Sequence, residues 1–284
     1  MTKNEKKFYF SMFKHKIFVV KIGGEVVQSE RILENIIKDI KELFDHGIKV
    51  LLVHGGGMQA DDLAKQMGHI PTKVAGRRVT GAKDLEIVKM LYGGSLNLEI
   101  LSIMRKMNFK GVRVSGLDGN FFSSKLRSKK KFDYGFVGDI TSVDPHIVLN
   151  LLNNDYLPVI SPIGVTDNGV IVNINADTIA TKIATELNAE KLVFLTSSKG
   201  VYNGENLLHT LASSEAKDLI GRGIAKDGMI VKLQNCIEAV EGGVKRVHII
   251  DGLSEHSLIA EVLTKDGVGT MITSDEEKTK YIQE

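Results

Sequence analysis

A single cysteine, Cys236, stands among 284 residues. That excludes an internal disulfide framework and any multi-thiolate metal site, and it fits a reducing compartment. An excess of one charge is also missing, since 37 basic side chains face 35 acidic ones and leave a formal net charge of +2. So small a balance supplies no field to recruit nucleic acid or an anionic membrane. The one basic cluster, Lys125 and Arg127 with the run Lys129-Lys130-Lys131, reads as a solvated hairpin or loop. No apolar stretch approaches the roughly 18–20 residues of a membrane span, and runs such as 17–20 and 50–53 are only strand-length. Residues 1–7 lack the apolar core of a secretory signal. The expectation is a cytoplasmic protein without nucleic-acid or membrane partners. Common catalytic signatures are missing too: G-x-x-x-x-G-K-[ST], G-x-G-x-x-G after the first strand, H-E-x-x-H, C-x-x-C and G-x-S-x-G do not occur.

What is present is 43% hydrophobic and 25% charged sequence, enough apolar material for a sizeable core and too much for a disordered chain. Short β-rich runs alternate with longer amphipathic segments, which predicts an α/β fold with an open, mostly parallel sheet sandwiched by helices. Residues 17–22 read as a first strand and 49–53 as a second. Between them Ile32, Leu33, Ile36, Ile37, Ile40, Leu43 and Phe44 recur at helical spacing. From 120 to 142 the helical period gives way to aromatics, glycines and charges that suggest hairpins. Pro158, Pro162 and Gly164 punctuate the middle, predicting an extension over 1–16, a lobe over 17–165 and a second lobe over 166–284.

Glycines mark where backbone N–H groups can approach an anion ahead of a helix. Gly23-Gly24 ends the first strand directly after Lys21, and Gly55-Gly56-Gly57 ends the second. Loops beyond the carboxyl ends of parallel strands line the ligand crevice of an open α/β sheet. Two glycine turns with a lysine before one of them favour an anionic ligand there, although either turn alone is an ordinary strand-to-helix joint. Lys21 is a strand-end lysine that snorkels or binds. Lys232 lies near the start of a helix beginning about Met229, where a cation opposes the helix dipole unless an anion is present. Asn173 alternates with apolar Val172 and Ile174 at a strand end and offers an amide to a polar substrate. Asp177 opens the next helix, as a dipole partner or as a site residue. Arg78 is either a surface ion-pair former or a bidentate grip on a carboxylate.

Taken in order, the segments Lys21-Ile-Gly-Gly, Val53-His-Gly-Gly-Gly, Gly76-Arg-Arg-Val-Thr, Val114-Ser-Gly-Leu-Asp-Gly, Gly135-Phe-Val-Gly-Asp, Asn173-Ile-Asn-Ala-Asp, Asp227-Gly-Met-Ile-Val-Lys and Gly267-Val-Gly-Thr-Met-Ile resemble the amino acid kinase family, most closely its members that act on N-acetyl-L-glutamate. The resemblance implies two lobes around one cleft and ATP-dependent phosphorylation of the acceptor's side-chain carboxylate in arginine biosynthesis. The 17–165 lobe would bind acetylglutamate and dimerise, and the 166–284 lobe would bind ATP. Lys21 and Lys232 would stabilise the transferring phosphoryl group, with Asp177 organising them. Gly56, Gly57, Arg78 and Asn173 would bind acetylglutamate, Arg78 on its α-carboxylate. Gly23, Gly24, Ser197, Gly200, Tyr202, Ile224 and Lys226 would contact ATP, with Mg2+ held mainly by the nucleotide. Glu25 is a departure, an extra negative charge beside the proposed phosphates.

His256, Glu261 and Gly267 resemble the C-terminal signature of arginine-inhibited relatives, against the plainer reading of an amphipathic helix. The aromatic segment Asn4 to Lys14 is then an oligomer-forming helix or a packing arm, with a homodimer or hexamer expected. Two other functions stand beside this one: a kinase of the same family acting on carrier-linked aminoadipate or glutamate, and a catalytically silent sensor of arginine or nucleotide.

Overall fold

A computed structural model of the chain describes residues 3–74, 77–265 and 267–283; Gly76, first residue of one motif above, lies outside the described residues. The chain opens with α1 (Lys3–Phe13), β1 (Ile17–Ile22), α2 (Gly24–Val27), α3 (Glu30–Asp45) and β2 (Lys49–His54). It continues through α4 (Gly57–Gln66), β3 (Lys73–Val74), β4 (Arg77–Arg78), α5 (Ala82–Met90), α6 (Leu96–Lys106) and β5 (Gly111–Val114). Next come β6 (Phe122–Leu126), β7 (Gly138–Val143), α7 (His146–Asn153), β8 (Leu157–Ile160), β9 (Ile163–Thr166), β10 (Ile171–Asn173) and α8 (Ala176–Glu186). Then follow β11 (Lys191–Thr196), β12 (Tyr202–Asn203), β13 (Asn206–Leu207), β14 (Thr210–Ala212), α9 (Ser213–Gly221) and α10 (Asp227–Glu241). The last are β15 (Arg246–Asp251), α11 (Ser257–Val262), β16 (Thr270–Thr273) and α12 (Asp275–Gln283).

These elements pack as two units, one formed by residues up to Leu51 together with those from Ala180 onward, the other by Leu52–Ile179. In the first unit the strands run in the order β14-β16-β15-β11-β1. β1, β11 and β15 are parallel, with Lys21 in register with Phe194, while β16 runs antiparallel to β15. Strands covered on both faces should be apolar throughout, and all six residues of β11 are buried. Helix α3 buries Leu33, Ile36, Ile37, Ile40 and Leu43, and Ser29 accepts the N–H of Ile32 at its start, an N-cap that satisfies one of the helix's free donors. The aromatic N-terminal segment is a helix: Phe10 and Phe13 of α1 are buried, Phe10 stacking on His46 at 3.7 Å and Phe13 meeting Phe18 edge-on at 5.3 Å.

In the second unit β2, β8 and β5 are parallel neighbours, and a four-stranded sheet runs β10-β9-β6-β7. The antiparallel pair β6–β7 accounts for the hairpin signal between 120 and 142. The proline- and glycine-punctuated stretch near 165 forms β9, where Val165 pairs with both Ile171 and Ser123. By packing, residues 17–51 group with the C-terminal part of the chain and not with 52–165. Helices α5 and α6 are joined by a π turn, Leu91–Ser95, into one run, Ala82–Lys106, that is long and apolar enough by length and composition to cross a membrane. No such stretch was expected from the sequence. Half of its most apolar window is buried within the protein, and Leu85, Val88, Leu96, Ile100 and Met104 belong to the core.

Candidate functional site

The second unit draws four of the sequence segments together. Gly56 precedes α4 at the end of β2, and a Cβ there would lie 2.7 Å from Tyr92 and 2.8 Å from Leu96. Glycine is therefore required by contact, because the π turn presses its aromatic ring onto the loop. His54, wholly buried, lies 6.2 Å from the Tyr92 ring in edge geometry. Burial pulls the His54 imidazole down to about 4 and pushes the Tyr92 phenol up to about 12. Arg78, on β4, donates from Nη2 to the carbonyl of Gly57 at 3.0 Å and to the Asp61 carboxylate. Gly57 and Arg78 thus come together.

Asn173 joins the same unit from β10. Its flanking residues Val172 and Ile174 are buried, and its Nδ2 donates to Thr80 Oγ1 at 3.1 Å. Thr80 belongs to the Arg-Arg-Val-Thr segment. Its N–H donates to the Tyr134 carbonyl and its carbonyl accepts the Phe136 N–H, while the Asn173 N–H donates to the Phe136 carbonyl. Gly135 has φ +68° and its missing Cβ would strike the Thr80 carbonyl, so no L side chain fits that crossing. Asn175 then accepts the N–H of Thr178 at 3.0 Å, and Asp177 is buried in the first turn of α8, where the helix dipole favours a carboxylate.

The first unit holds the other predicted residues. Lys21 is buried near the end of β1. Gly23 donates its N–H to the Leu195 carbonyl at 3.0 Å, and the position of its missing Cβ lies 4.0 Å from Lys21 Nζ and 3.8 Å from Glu25 Oε2. Both side chains thus reach the Gly23 turn. Gly24 begins α2. Ser197 is exposed after β11, while Gly200 is buried against Leu207 and Thr270, with Val201 N–H donating to Thr270 Oγ1 at 2.8 Å. Tyr202 is exposed on the β12–β13 hairpin. Ile224 and Lys226 form the entry to α10, Lys226 as its N-cap, and Lys232 is half-buried on that helix. Among the described residues no group of three or more His, Cys, Asp or Glu side chains could hold a metal ion.

A separate, narrow polar pocket of about 40 Å³ lies in the first unit between α1, β11, β15 and α11. Glu261 and Gly267 line it, and His256 is not among its lining residues. His256 instead bonds through Nδ1 to the buried Asp39 at 2.7 Å, at the left-handed N-cap of α11. Two other histidines, His209 and His248, line the cavity, and His248 is the one that meets Glu261: its Nδ1 is 2.7 Å from Glu261 Oε1 and its Nε2 is 3.4 Å from Lys191 Nζ. The other Glu261 oxygen accepts the N–H groups of Val268 and Gly269 at 2.6 and 2.8 Å. Burial alone would raise the Glu261 carboxyl, but His248 and these N–H donors hold it low. Burial and then the nearby Arg246 charge pull Lys191 down to about 7. Tyr9 reaches the lining, and Lys191 Nζ lies 4.9 Å from the Phe13 ring centroid. Sequence reasoning missed His248, Lys191 and Tyr9. The available signal was polar residues placed on otherwise apolar strands β11 and β15.

The model of the amino acid kinase family matches residues 16–251. An acetylglutamate kinase from Kosmotoga olearia is 43% identical over 264 residues, covering 93% of this chain and 93% of that protein. One from Aquifex aeolicus is 37% identical over 280 residues, covering 93% and 94%. Among solved structures, the N-acetylglutamate synthase from Neisseria gonorrhoeae complexed with coenzyme A and L-arginine matches with a TM-score of 0.86 at 26% identity over 96% of this chain. The chain spans 64% of the length of that synthase. Carbamate kinase from Giardia lamblia bound to AMP-PNP shares the fold, with a TM-score of 0.68 at 17% identity over 92% of this chain and 99% of that one.

Proposed function

We propose, from the premise that this chain belongs to the amino acid kinase family, that it transfers the γ-phosphoryl group of ATP to the side-chain carboxylate of N-acetyl-L-glutamate in arginine biosynthesis. The observation that carries the reading is the convergence in one unit of Gly57, Arg78 and Asn173. A glycine turn, a nearly buried guanidinium and an amide suit a small acidic acylated amino acid. Arg78 takes its α-carboxylate, and Asn173 and the N–H groups of Gly56 and Gly57 take polar atoms of the rest.

In the reaction a carboxylate oxygen of the acceptor forms a bond to the γ-phosphorus as the bond to the β–γ bridging oxygen breaks, giving an acyl phosphate and ADP. The acceptor, with an ordinary pKa near 4.3, is already ionised at neutral pH, so no general base is required. The barrier is repulsion between two anions, and catalysis is alignment and charge cancellation. Lys21 and Lys232 supply positive charge, and Asp177 completes the catalytic set. Gly23, Gly24, Ser197, Gly200, Tyr202, Ile224 and Lys226 hold the nucleotide. Mg2+ comes with the nucleotide and offsets the charge of its phosphates.

The second unit is thus the acceptor-binding part and the first the nucleotide-binding part. The cavity around Glu261 supports a second function, feedback inhibition by L-arginine. A buried carboxylate kept ionised by His248 and two backbone N–H groups is suited to a guanidinium. Exposed Phe8 and Met12 on α1 support self-association as a dimer or hexamer, and the single buried thiol of Cys236 supports a cytoplasmic setting.

The test is ATP-dependent acyl-phosphate formation, trapped with hydroxylamine, across N-acetyl-L-glutamate, free glutamate, aspartate and N-acetyl-aminoadipate, with and without arginine. Product with acetylglutamate alone is the expected result. Absence of product with every acceptor, despite ATP binding, would replace this reading by a carrier-linked acceptor or a silent sensor.

A further inference from the structure

Arg78 is not the only charged side chain in the acceptor unit. Its side chain is 9% exposed, and two carboxylates of similar burial face it: Asp61 from the middle of α4 and Asp84 from the first turn of α5. Asp61 Oδ1 accepts from Arg78 Nη2, and its Oδ2 pairs with Lys73 Nζ at 2.6 Å. Asp84 Oδ1 stands 3.7 Å from Arg78 Nη1 and 3.0 Å from His69 Nε2, while its Oδ2 accepts the Gly81 N–H at 3.1 Å. Each carboxylate is therefore fixed by a second group before it acts on Arg78. Lys73 and Arg78 lie on opposite strands of the β3–β4 hairpin, so Asp61 pins both strands to α4 at once.

We infer that Asp61 and Asp84 are positioning residues that set the Arg78 side chain in advance for the acceptor's α-carboxylate. This rests on the function proposed above. The physical ground is that an arginine loses much rotamer freedom when ordered, and ordering it within the fold removes that loss from binding. A nearly buried guanidinium also needs compensating charge before any ligand arrives. Nη2 has both hydrogens engaged by Asp61 and Gly57, whereas Nη1 stands beyond hydrogen-bond range of Asp84. Among the described residues, that leaves Nη1 to donate to an incoming carboxylate. The device acts on binding of the acceptor and not on the phosphoryl group.

The experiment is steady-state kinetics of Asp61→Asn and Asp84→Asn in the full chain, with thermal unfolding to verify folding. Asp61→Asn is isosteric and leaves α4 intact, whereas Asp84→Asn also weakens the cap of α5. Loss of a charge-assisted hydrogen bond predicts a KM for N-acetyl-L-glutamate raised about tenfold in Asp61→Asn, with kcat changed less than about threefold and the KM for ATP within about twofold. Asp84→Asn should move the same constants in the same direction. An unchanged acetylglutamate KM in folded Asp61→Asn overturns the inference, as does an equal loss in kcat or in the KM for ATP. Failure of the underlying reading is separate: the unaltered chain would then form no acyl phosphate from acetylglutamate.

Discussion

Lowering the pH should expose the burial of His54. Its ring is fully enclosed beneath the glycine turn, near Tyr92, and its Nδ1 is 3.0 Å from the Gly55 carbonyl. The group has a folded-state pKa of about 4 against an ordinary 6.5, chiefly because burial penalises the imidazolium. A depressed pKa means that the unfolded chain binds this proton first. The stability contributed by neutral His54 is complete above pH 6.5 and is lost as pH falls through the window down to 4. Integrated over those two values, the loss is about 2 kcal/mol at pH 5 and about 3 kcal/mol at pH 4. Other groups titrate in the same window, His248 among them, so the quantity to measure is a difference. Urea unfolding of the unaltered chain and of His54→Gln, at half-unit steps from pH 7.5 to 4.5, isolates it. The variant should lose about 2 kcal/mol less than the parent between pH 7.5 and 5. Parallel pH profiles for the two chains would refute the reasoning.

Three further outcomes are expected. Lys21→Ala or Lys232→Ala should lower turnover at least about 100-fold, the scale of losing one oxyanion-stabilising donor; normal turnover in a folded variant would remove these residues from the mechanism. Gly56→Ala should cost about 1–3 kcal/mol of stability through overpacking against Tyr92 and Leu96, read by denaturant midpoint, and should also raise the acetylglutamate KM. L-Arginine should inhibit the unaltered chain, and Glu261→Gln should raise the inhibitory concentration about tenfold or more by weakening a charge-assisted contact; an arginine titration that changes neither chain would dismiss the cavity as a regulatory site.

Much of the fold could be read from side-chain periodicity, because a parallel strand buried on both faces must be continuously apolar and a covering helix must show a stripe. Strands β1, β2 and β11 and helix α3 fall where those patterns lie. Strand β9 did not announce itself, since Gly164 with Pro162 just before it reads as a break, yet Val165 pairs on both sides. The glycine turns, Arg78, Asn173 and Asp177 stand out by residue type and order, and Gly57, Arg78 and Asn173 fall in one unit. What holds Arg78 was not, because Asp61 and Asp84 lie 17 residues before and 6 after it, at distances no local spacing rule relates. The histidine chosen beside Glu261 shows the same limit. His256 is closer in sequence and caps the helix that carries Glu261, but its left-handed backbone turns it to Asp39, while His248 reaches Glu261 from a strand.

The interleaved packing of the first unit has a consequence for synthesis. Strand β1 needs β11 on one side, with Phe18 beside Lys191, and the residues up to Leu51 share their unit with a segment that starts only at Ala180. At about 5–20 residues per second on a ribosome, that partner emerges on the order of 10 s later. Throughout this interval the apolar strand Ile17–Ile22 lacks β11 on one edge, while Leu52–Ile179, a continuous stretch, is already synthesised. That open strand edge is thus available during synthesis to holdase chaperones and to pairing with the same strand of a neighbouring nascent chain. The ribosome must release the last third of the polypeptide before the first fifty residues can close their sheet.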